Sequence, residues 1–326
     1  MKHPHHFLYL SRADVEAAGC QMSDVIEAVE MAFREKAAGR TMMPAKHWIA
    51  PSSRRFFSAM SSALPSVEAA GCKWQSGSPD NGASGRPYIT GQFILNALDT
   101  GLPLAIMDST WITEMRTAAA TAVVSRRLAG KPLETLGVLG CGLQARRNVE
   151  ALRLVFPSLK EVRAYDTARA AATLYRQQTM DRHPVNVTIC PSPREAFRGS
   201  DVVLTAGPIA PDTPRLARAD WLDEGATCVT LDYDCYWGVG ELARVDQIFT
   251  DDVAQLEHSK LDGYFAGIPP SVRDVSSVVA GHSPGRMSDS ARVVCINMGI
   301  ALEDVASAIS IYRHARERGV GIKLPT

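Results

Sequence analysis

An apolar run from Leu136 to Leu139 breaks into a turn that places Gly140, Gly142 and Ala145 in G-x-G-x-x-A spacing. A helical segment, Gln144 to Leu154, leaves that turn, and a second short strand then ends in an acid, Val162-Arg-Ala-Tyr-Asp166. Each part serves a physical purpose. Gly140 permits the tight turn, Gly142 lets the backbone approach a pyrophosphate, and Ala145 allows close helix–strand packing. The helix N-terminus adds free N–H groups and a positive dipole end. A lone glycine turn says little. Strand, turn, helix, strand and acid in this order predict a dinucleotide site. Asp166 is placed to accept both ribose hydroxyls of an adenosine and would repel a 2′-phosphate, which favours NAD(H) over NADP(H). Arg169, three residues past the acid, is a cation able to fold back toward such a phosphate.

The rest of the chain divides around this motif. Strands are expected at 136–139, 161–165, 187–189, 201–205, 227–231 and 247–250, alternating with helices. That rhythm specifies a Rossmann-type, doubly wound parallel sheet. Before it, Ser23 reads as the cap of a helix whose Val25, Ile26, Val29 and Phe33 share one face and which Gly39 stops. Strand-like runs follow at 55–60, 71–75, 88–95 and 102–107, then an Ala-rich helix from about Thr113 to Leu128. After Arg292 the pattern reads as helical, with Met298, Leu302, Val305, Ile309 and Tyr312 on one face. A chain of 326 residues exceeds one ordinary core. Two domains are expected: residues 1–115 with 296–326, an α+β unit, and residues 116–295, the nucleotide-binding unit.

Three places outside the glycine turn could carry chemistry. With Thr113 as a helix N-cap, Arg116 falls in the first turn, where a cation is disfavoured by about 0.3–1 kcal/mol unless an anion offsets it. An Arg fork beside free N–H groups makes a carboxylate site, and a solvated Arg reaching Glu114 fits the spacing equally well. Lys73, in Gly71-Cys-Lys-Trp-Gln75, lies among small and apolar neighbours. A lysine buried there needs an acidic partner, although period-2 alternation favours an exposed sheet face. Lys46 has the same standing. Asp232 and Asp234 follow the fifth strand of the wound sheet, at the end where ligands bind. Either carboxylate can serve as general base toward an amine.

Composition removes other classes. Thirty-five basic and 35 acidic side chains balance, so neither nucleic acid nor an anionic membrane is an expected partner. No apolar run approaches the roughly 20 residues that cross a bilayer, and the N-terminus lacks the apolar core of a signal peptide. Seven scattered cysteines form no C-x-x-C pair, which fits reduced thiols in the cytoplasm. No histidine has ligand-like spacing, so no metal is expected; His3, His5 and His6 read as a floppy tail.

Taken together, these motifs resemble the ornithine cyclodeaminase/μ-crystallin family, which includes archaeal-type alanine dehydrogenases and ketimine reductases. The resemblance rests on Met43-Pro-Ala-Lys46, Ala59-Met60, Cys72-Lys-Trp74, Gly101-Leu-Pro-Leu-Ala-Ile-Met-Asp108 and Thr113-Glu-Met-Arg-Thr-Ala-Ala119. It continues through the glycine turn and Asp166 to Met298-Gly-Ile-Ala-Leu-Glu-Asp304. It implies a homodimer whose first unit binds substrate and dimerises. It maps the family's carboxylate-binding Lys and Arg onto Lys73 and Arg116, and its active-site acid onto Asp234. Lys46 and Met60 join the substrate side. The expected cofactor side is Thr117, Gly140, Gly142, Leu143, Gln144, Ala145, Asp166, Thr205, Ala206 and Asp232, with NAD as cofactor.

The chain departs from the family at three places. Tyr236-Trp-Gly-Val-Gly-Glu241 is bulkier than the Pro-Gly turn of the cyclodeaminases, Ser58 replaces an Arg of the alanine dehydrogenases, and Gly207 replaces a usual Thr or Ser. The implied activity is hydride transfer at the α-carbon of a small amino acid. Cyclodeaminase, dehydrogenase and cyclic-imine reductase remain open, and a non-enzymatic ligand-binding protein is the rival from another class.

Overall fold

The computed structural model describes residues 5–52, 54–210 and 212–326. Its contacts fall into two compact units, Met1–Arg116 with Ile300–Thr326, and Thr117–Gly299. The first unit opens with β1 (His6–Leu10), α1 (Arg12–Ala18) and α2 (Met22–Ala37). Strands β2 (His47–Ser52), β3 (Arg55–Leu64), β4 (Ala69–Gly77), β5 (Ile89–Ala97) and β6 (Pro103–Asp108) follow. Helix α3 (Ser109–Leu128) then runs from the first unit into the sequence of the second.

The second unit holds β7 (Thr135–Leu139), α4 (Leu143–Val155), β8 (Glu161–Tyr165), α5 (Arg169–Arg182), β9 (Asn186–Ile189), α6 (Pro193–Phe197) and β10 (Val202–Thr205). It continues with β11 (Thr227–Thr230), β12 (Gln247–Thr250), α7 (Val253–Leu261), β13 (Arg273–Asp274), α8 (Val275–Val279) and β14 (Val293–Ile296). Helix α9 (Ala301–Arg318) and β15 (Ile322–Pro325) return the chain to the first unit.

In the first unit the described strands form one sheet in the order β15-β1-β6-β5-β4-β3-β2, antiparallel except where β1 meets β6. Alternation decides its two faces. Ser58, Met60, Ser62 and Leu64 of β3 and Lys73, Gln75 and Gly77 of β4 point inward, against α9. Helix α2 packs on α9 through Val25, Ile26, Val29 and Phe33, all buried. The opposite face carries Phe57 stacked on Trp74, with ring centroids 5.8 Å apart, and Ile94; Trp74 and Ile94 are exposed.

The second unit's sheet runs β13-β12-β14-β11-β10-β7-β8-β9 and is parallel throughout. From β7 the chain winds outward through β8 to β9, then crosses back to place β10 on the other side of β7. Strand order therefore reverses between β7 and β10, the switch point at which wound sheets bind ligands. The fold class is α/β with a Rossmann-type sheet and a separate α+β unit, as the alternation of elements implies.

Four local expectations need correction. The N-cap of α2 is Gln21 rather than Ser23, because the Asp24 carboxylate takes the Gln21 N–H at 2.7 Å. Helix α3 starts at Ser109, where Asp108 accepts the Trp111 N–H at 2.9 Å. Thr113 is thus interior, and Arg116 lies two turns in, beyond the reach of the helix-end dipole. Val293–Ile296 is a strand; it is buried on both faces, so its sequence lacks the alternation that marks a half-exposed strand. His6 begins β1 and the His5 ring bonds the Pro103 carbonyl at 2.9 Å, so neither belongs to a loose tail; His3 lies outside the described residues.

Candidate functional site

In the first unit, the centre of β4 meets the start of α9. Lys73 Nζ lies 2.9 Å from Asp304 Oδ1 and donates to Thr113 Oγ1 at 3.2 Å. Arg116 reaches the same place from α3, with Nη1 3.0 Å from Glu303 Oε2 and Nε 3.2 Å from Asp304 Oδ1. Lys73, Glu303 and Asp304 are wholly buried and Arg116 nearly so. Two cations and two carboxylates thus balance in a site without bulk water. Burial pulls the Lys73 ammonium down to about 8, although the Asp304 carboxylate opposes that shift. Met60 is the direct cross-strand partner of Lys73, and Gln75 Nε2 rests 3.8 Å from its sulfur. Lys46 is buried at the entry to β2.

The acids at the head of α9 explain themselves locally. Glu303 and Asp304 occupy the first turn, where the positive end of the helix favours carboxylates. In the sequence Glu303-Asp304 belongs to a motif that assigns neither a role. Two adjacent acids on a helix that is otherwise apolar over its first turns were the available signal.

In the second unit, the glycine turn closes as the spacing requires. Gly140 has φ +93°, and its N–H donates to the Tyr165 carbonyl at 2.9 Å. A Cβ at Gly140 would stand 2.7 Å from the Ala206 carbonyl oxygen, so only glycine fits between β7 and the end of β10. A Cβ at Gly142, which precedes α4, would meet nothing within 4 Å, so the space above the helix N-terminus is open. Leu143 and Gln144 form the first turn of α4, and Ala145 is fully buried beneath it. Asp166 Oδ2 accepts from the Cys141 N–H and Oδ1 from the Ala168 N–H, each at 2.8 Å. Each oxygen keeps a lone pair for a further donor. An open helix N-terminus, a close-approach glycine and a fixed carboxylate are what an adenine dinucleotide needs.

Thr205 closes β10 and donates to Asp232 Oδ1 at 2.5 Å, while the Gly207 N–H also serves that carboxylate. Asp232 has no exposed surface, and burial pushes it up to about 7. Asp234 is less enclosed; burial also raises its pKa, and the Phe265 N–H donates to its Oδ2 at 3.0 Å. Phe265 and Tyr233 both hold left-handed backbones, φ +57° and +58°, and their rings stack at 5.4 Å. Such strain collects at functional sites, and Phe265 escaped the sequence reading because 31 positions separate it from Asp234. Trp237 is buried edge-on against Phe197, so the bulk of this turn is partly core. Thr117 is buried in α3, where its carbonyl accepts from Thr121 Oγ1. The structure therefore gathers Met60, Lys73 and Arg116 around one charge cluster, and Gly140 to Ala145, Asp166, Thr205, Ala206 and Asp232 around the switch point.

A family model for the ornithine cyclodeaminase/mu-crystallin family matches residues 7–319. The chain belongs to that family. Among its curated relatives, the alanine dehydrogenase of Archaeoglobus fulgidus is 32% identical over 330 residues, covering 97% of this chain and 98% of that protein. Among solved structures, the Δ1-pyrroline-2-carboxylate reductase of Thermococcus litoralis, in complex with NADH and L-proline, superposes with a TM-score of 0.87 at 28% identity. That match covers 98% of this chain and all of the other. An archaeal alanine dehydrogenase dimer with bound NAD gives 0.85 at 31% identity, covering 98% and 99%. The curated relatives include dehydrogenases, reductases and an ornithine cyclodeaminase, and the chain is an enzyme of amino-acid metabolism. Among the described residues, no helix is long and apolar enough to cross a membrane, and no cluster of His, Cys, Asp or Glu is arranged to hold a metal.

Proposed function

We propose that this chain moves a hydride between NAD(H) and the α-carbon of a small amino or imino acid. Bound NAD supplies the hydride acceptor, and NADH the donor. Lys73 and Arg116 hold the substrate carboxylate, while Glu303 and Asp304 fix the two cations in place. Lys46 and Met60 flank that site. Asp234 takes the proton from the substrate amine or activates an incoming nucleophile. Thr117, Gly140, Gly142, Leu143, Gln144, Ala145, Thr205, Ala206 and Asp232 line the dinucleotide, and Asp166 takes its adenosine ribose. Residues 1–115 with 296–326 are the substrate and dimerisation domain, and residues 116–295 the NAD domain. The bare sheet face of Phe57, Trp74 and Ile94 is the homodimer contact, and seven free thiols suit the cytoplasm.

The observation that carries this reading is the wholly buried Lys73 ammonium. Replacing a buried ion cluster by packed apolar side chains often stabilises a protein by about 1–4 kcal/mol. A four-charge cluster at the heart of a sheet therefore serves something other than stability, and its cations suit a carboxylate ligand.

The test is incubation with L-ornithine, L-alanine or Δ1-pyrroline-2-carboxylate and the matching nicotinamide, following ammonia and nicotinamide absorbance. Ammonia in excess of NAD without accumulating NADH identifies a cyclodeaminase. One NADH per amino acid consumed identifies a dehydrogenase, and loss of NADH with the cyclic imine a reductase. No turnover of any carboxylate substrate would defeat the proposal. The superposition on a reductase holding L-proline favours the cyclic imine as the first substrate to try.

A further inference from the structure

The turn after β11 sends a tyrosine back across the switch point. The Tyr236 carbonyl accepts the N–H groups of Leu216 at 2.7 Å and Ala217 at 2.8 Å, which fixes its backbone. Its ring tip presses on Gly207: a Cβ there would stand 2.3 Å from Cζ and 2.5 Å from Cε2. Gly207 in turn borders the glycine turn, since a Cβ on Gly140 would lie 3.1 Å from the Gly207 nitrogen. The phenol is thus carried over Gly207 to the edge of that turn. The residue is only 4% exposed, so its ring is packed in place, but its hydroxyl is not one of the sealed polar atoms that lack a partner.

Two amides of the turn are already engaged. The Gly140 N–H goes to the Tyr165 carbonyl and the Cys141 N–H to Asp166. A pyrophosphate there would have the N–H groups at the start of α4 on one side and the Gly207 edge, with the Tyr236 ring against it, on the other. We propose that the Tyr236 hydroxyl donates a hydrogen bond to the nicotinamide-side phosphate of the bound dinucleotide. This rests on the NAD reading above. Burial and the neighbouring Asp232 carboxylate hold the phenol above the ordinary tyrosine range, so it remains a proton donor throughout the neutral region.

The test measures equilibrium binding of NADH, ADP-ribose and AMP to the full chain and to Tyr236→Phe by calorimetry. A hydrogen bond to a charged group predicts about tenfold weaker binding of NADH and ADP-ribose. AMP, which lacks the nicotinamide-side phosphate, should stay within twofold. Gly207→Ser, whose Cβ displaces the ring, should reproduce the loss at some cost in the unfolding midpoint, while Tyr236→Phe leaves circular dichroism and the unfolding midpoint unchanged. Unaltered NADH and ADP-ribose binding overturns the proposal. So does equal weakening of all three ligands, which marks a distorted turn, or loss confined to NADH, which places the contact beyond the pyrophosphate. Failure of the unmodified chain to bind NADH would instead overturn the cofactor reading, and the tyrosine's role with it.

Discussion

Lys73 Nζ and Asp304 Oδ1 stand 2.9 Å apart across 231 positions of sequence, each on a side chain with no exposed surface. The contact ties the middle of β4 to the first turn of α9 and keeps an ammonium charged where water cannot reach it. Burial outweighs Asp304, so the proton is held less tightly than on an ordinary lysine. Lys73 is charged below about pH 8 and neutral above it. The KM for a carboxylate substrate should therefore be flat below that value and rise as pH passes through it. The sign for stability runs the other way. The unfolded lysine keeps its proton to higher pH, so the folding penalty is full below about pH 8 and fades as pH rises beyond it. A flat KM profile through this region would show that Lys73 does not meet the substrate.

Asp304→Asn should cost about 3–5 kcal/mol in denaturant unfolding, the range for breaking a buried ion pair. The substitution also removes the charge that supports the Lys73 proton, so the break in the KM profile should move to lower pH. A loss under about 1 kcal/mol with an unmoved break would separate Asp304 from the site.

Arg116→Ala removes the second cation from beside Glu303 and Asp304. Losing a charge-assisted fork should raise KM for a carboxylate substrate by about 10- to 100-fold. The dissociation constant of NADH should stay within twofold, since Arg116 is grouped with Lys73 rather than with the glycine turn. Equal effects on both ligands would indicate a purely structural side chain.

Two acids compete for proton transfer, and their surroundings differ. Asp234 is partly exposed and held by the Phe265 N–H; Asp232 is sealed between Thr205 and Gly207. Asp234→Asn should slow turnover by about 10²–10⁴-fold with both ligands still bound. Asp232→Asn should act mainly on NADH affinity. Stopped-flow turnover alongside calorimetric binding separates the two, and a reversed pattern would exchange their roles.

Asp166 holds the turn with two amide hydrogen bonds and retains lone pairs for ribose hydroxyls. Asp166→Ala combined with Thr167→Arg should shift the preference between NADH and NADPH toward the phosphorylated cofactor by at least about tenfold, a charge-assisted contact being worth that much. Paired Kd measurements check this, and an unmoved ratio would refute the ribose assignment.

On the sheet face away from α9, Ile94→Glu places a charge beside Cys72 on the neighbouring strand, in a patch that includes Trp74. Light scattering should show a dimer for the unmodified chain and a monomer for the variant, because a buried unpaired carboxylate opposes association. A dimer that survives the charge would place the contact elsewhere.

Local chemistry makes much of this protein legible in its sequence. The glycine turn, its helix, Asp166 and the alternation of the wound strands depend on backbone sterics and short-range spacing, which a sequence displays directly. The identity of Lys73 and Arg116 as candidates was visible too, but their state was not. Pattern alone put Lys73 on an exposed face, and a misplaced cap put Arg116 at a helix end. Only the chain's return through α9 brings Glu303 and Asp304 to them, a contact between residues nearly two hundred or more positions apart. The left-handed Phe265 that holds Asp234, and the Tyr236 ring over Gly207, arise in the same way. Burial, charge balance and proton affinity are properties of what surrounds a group, and tertiary packing alone decides the surroundings.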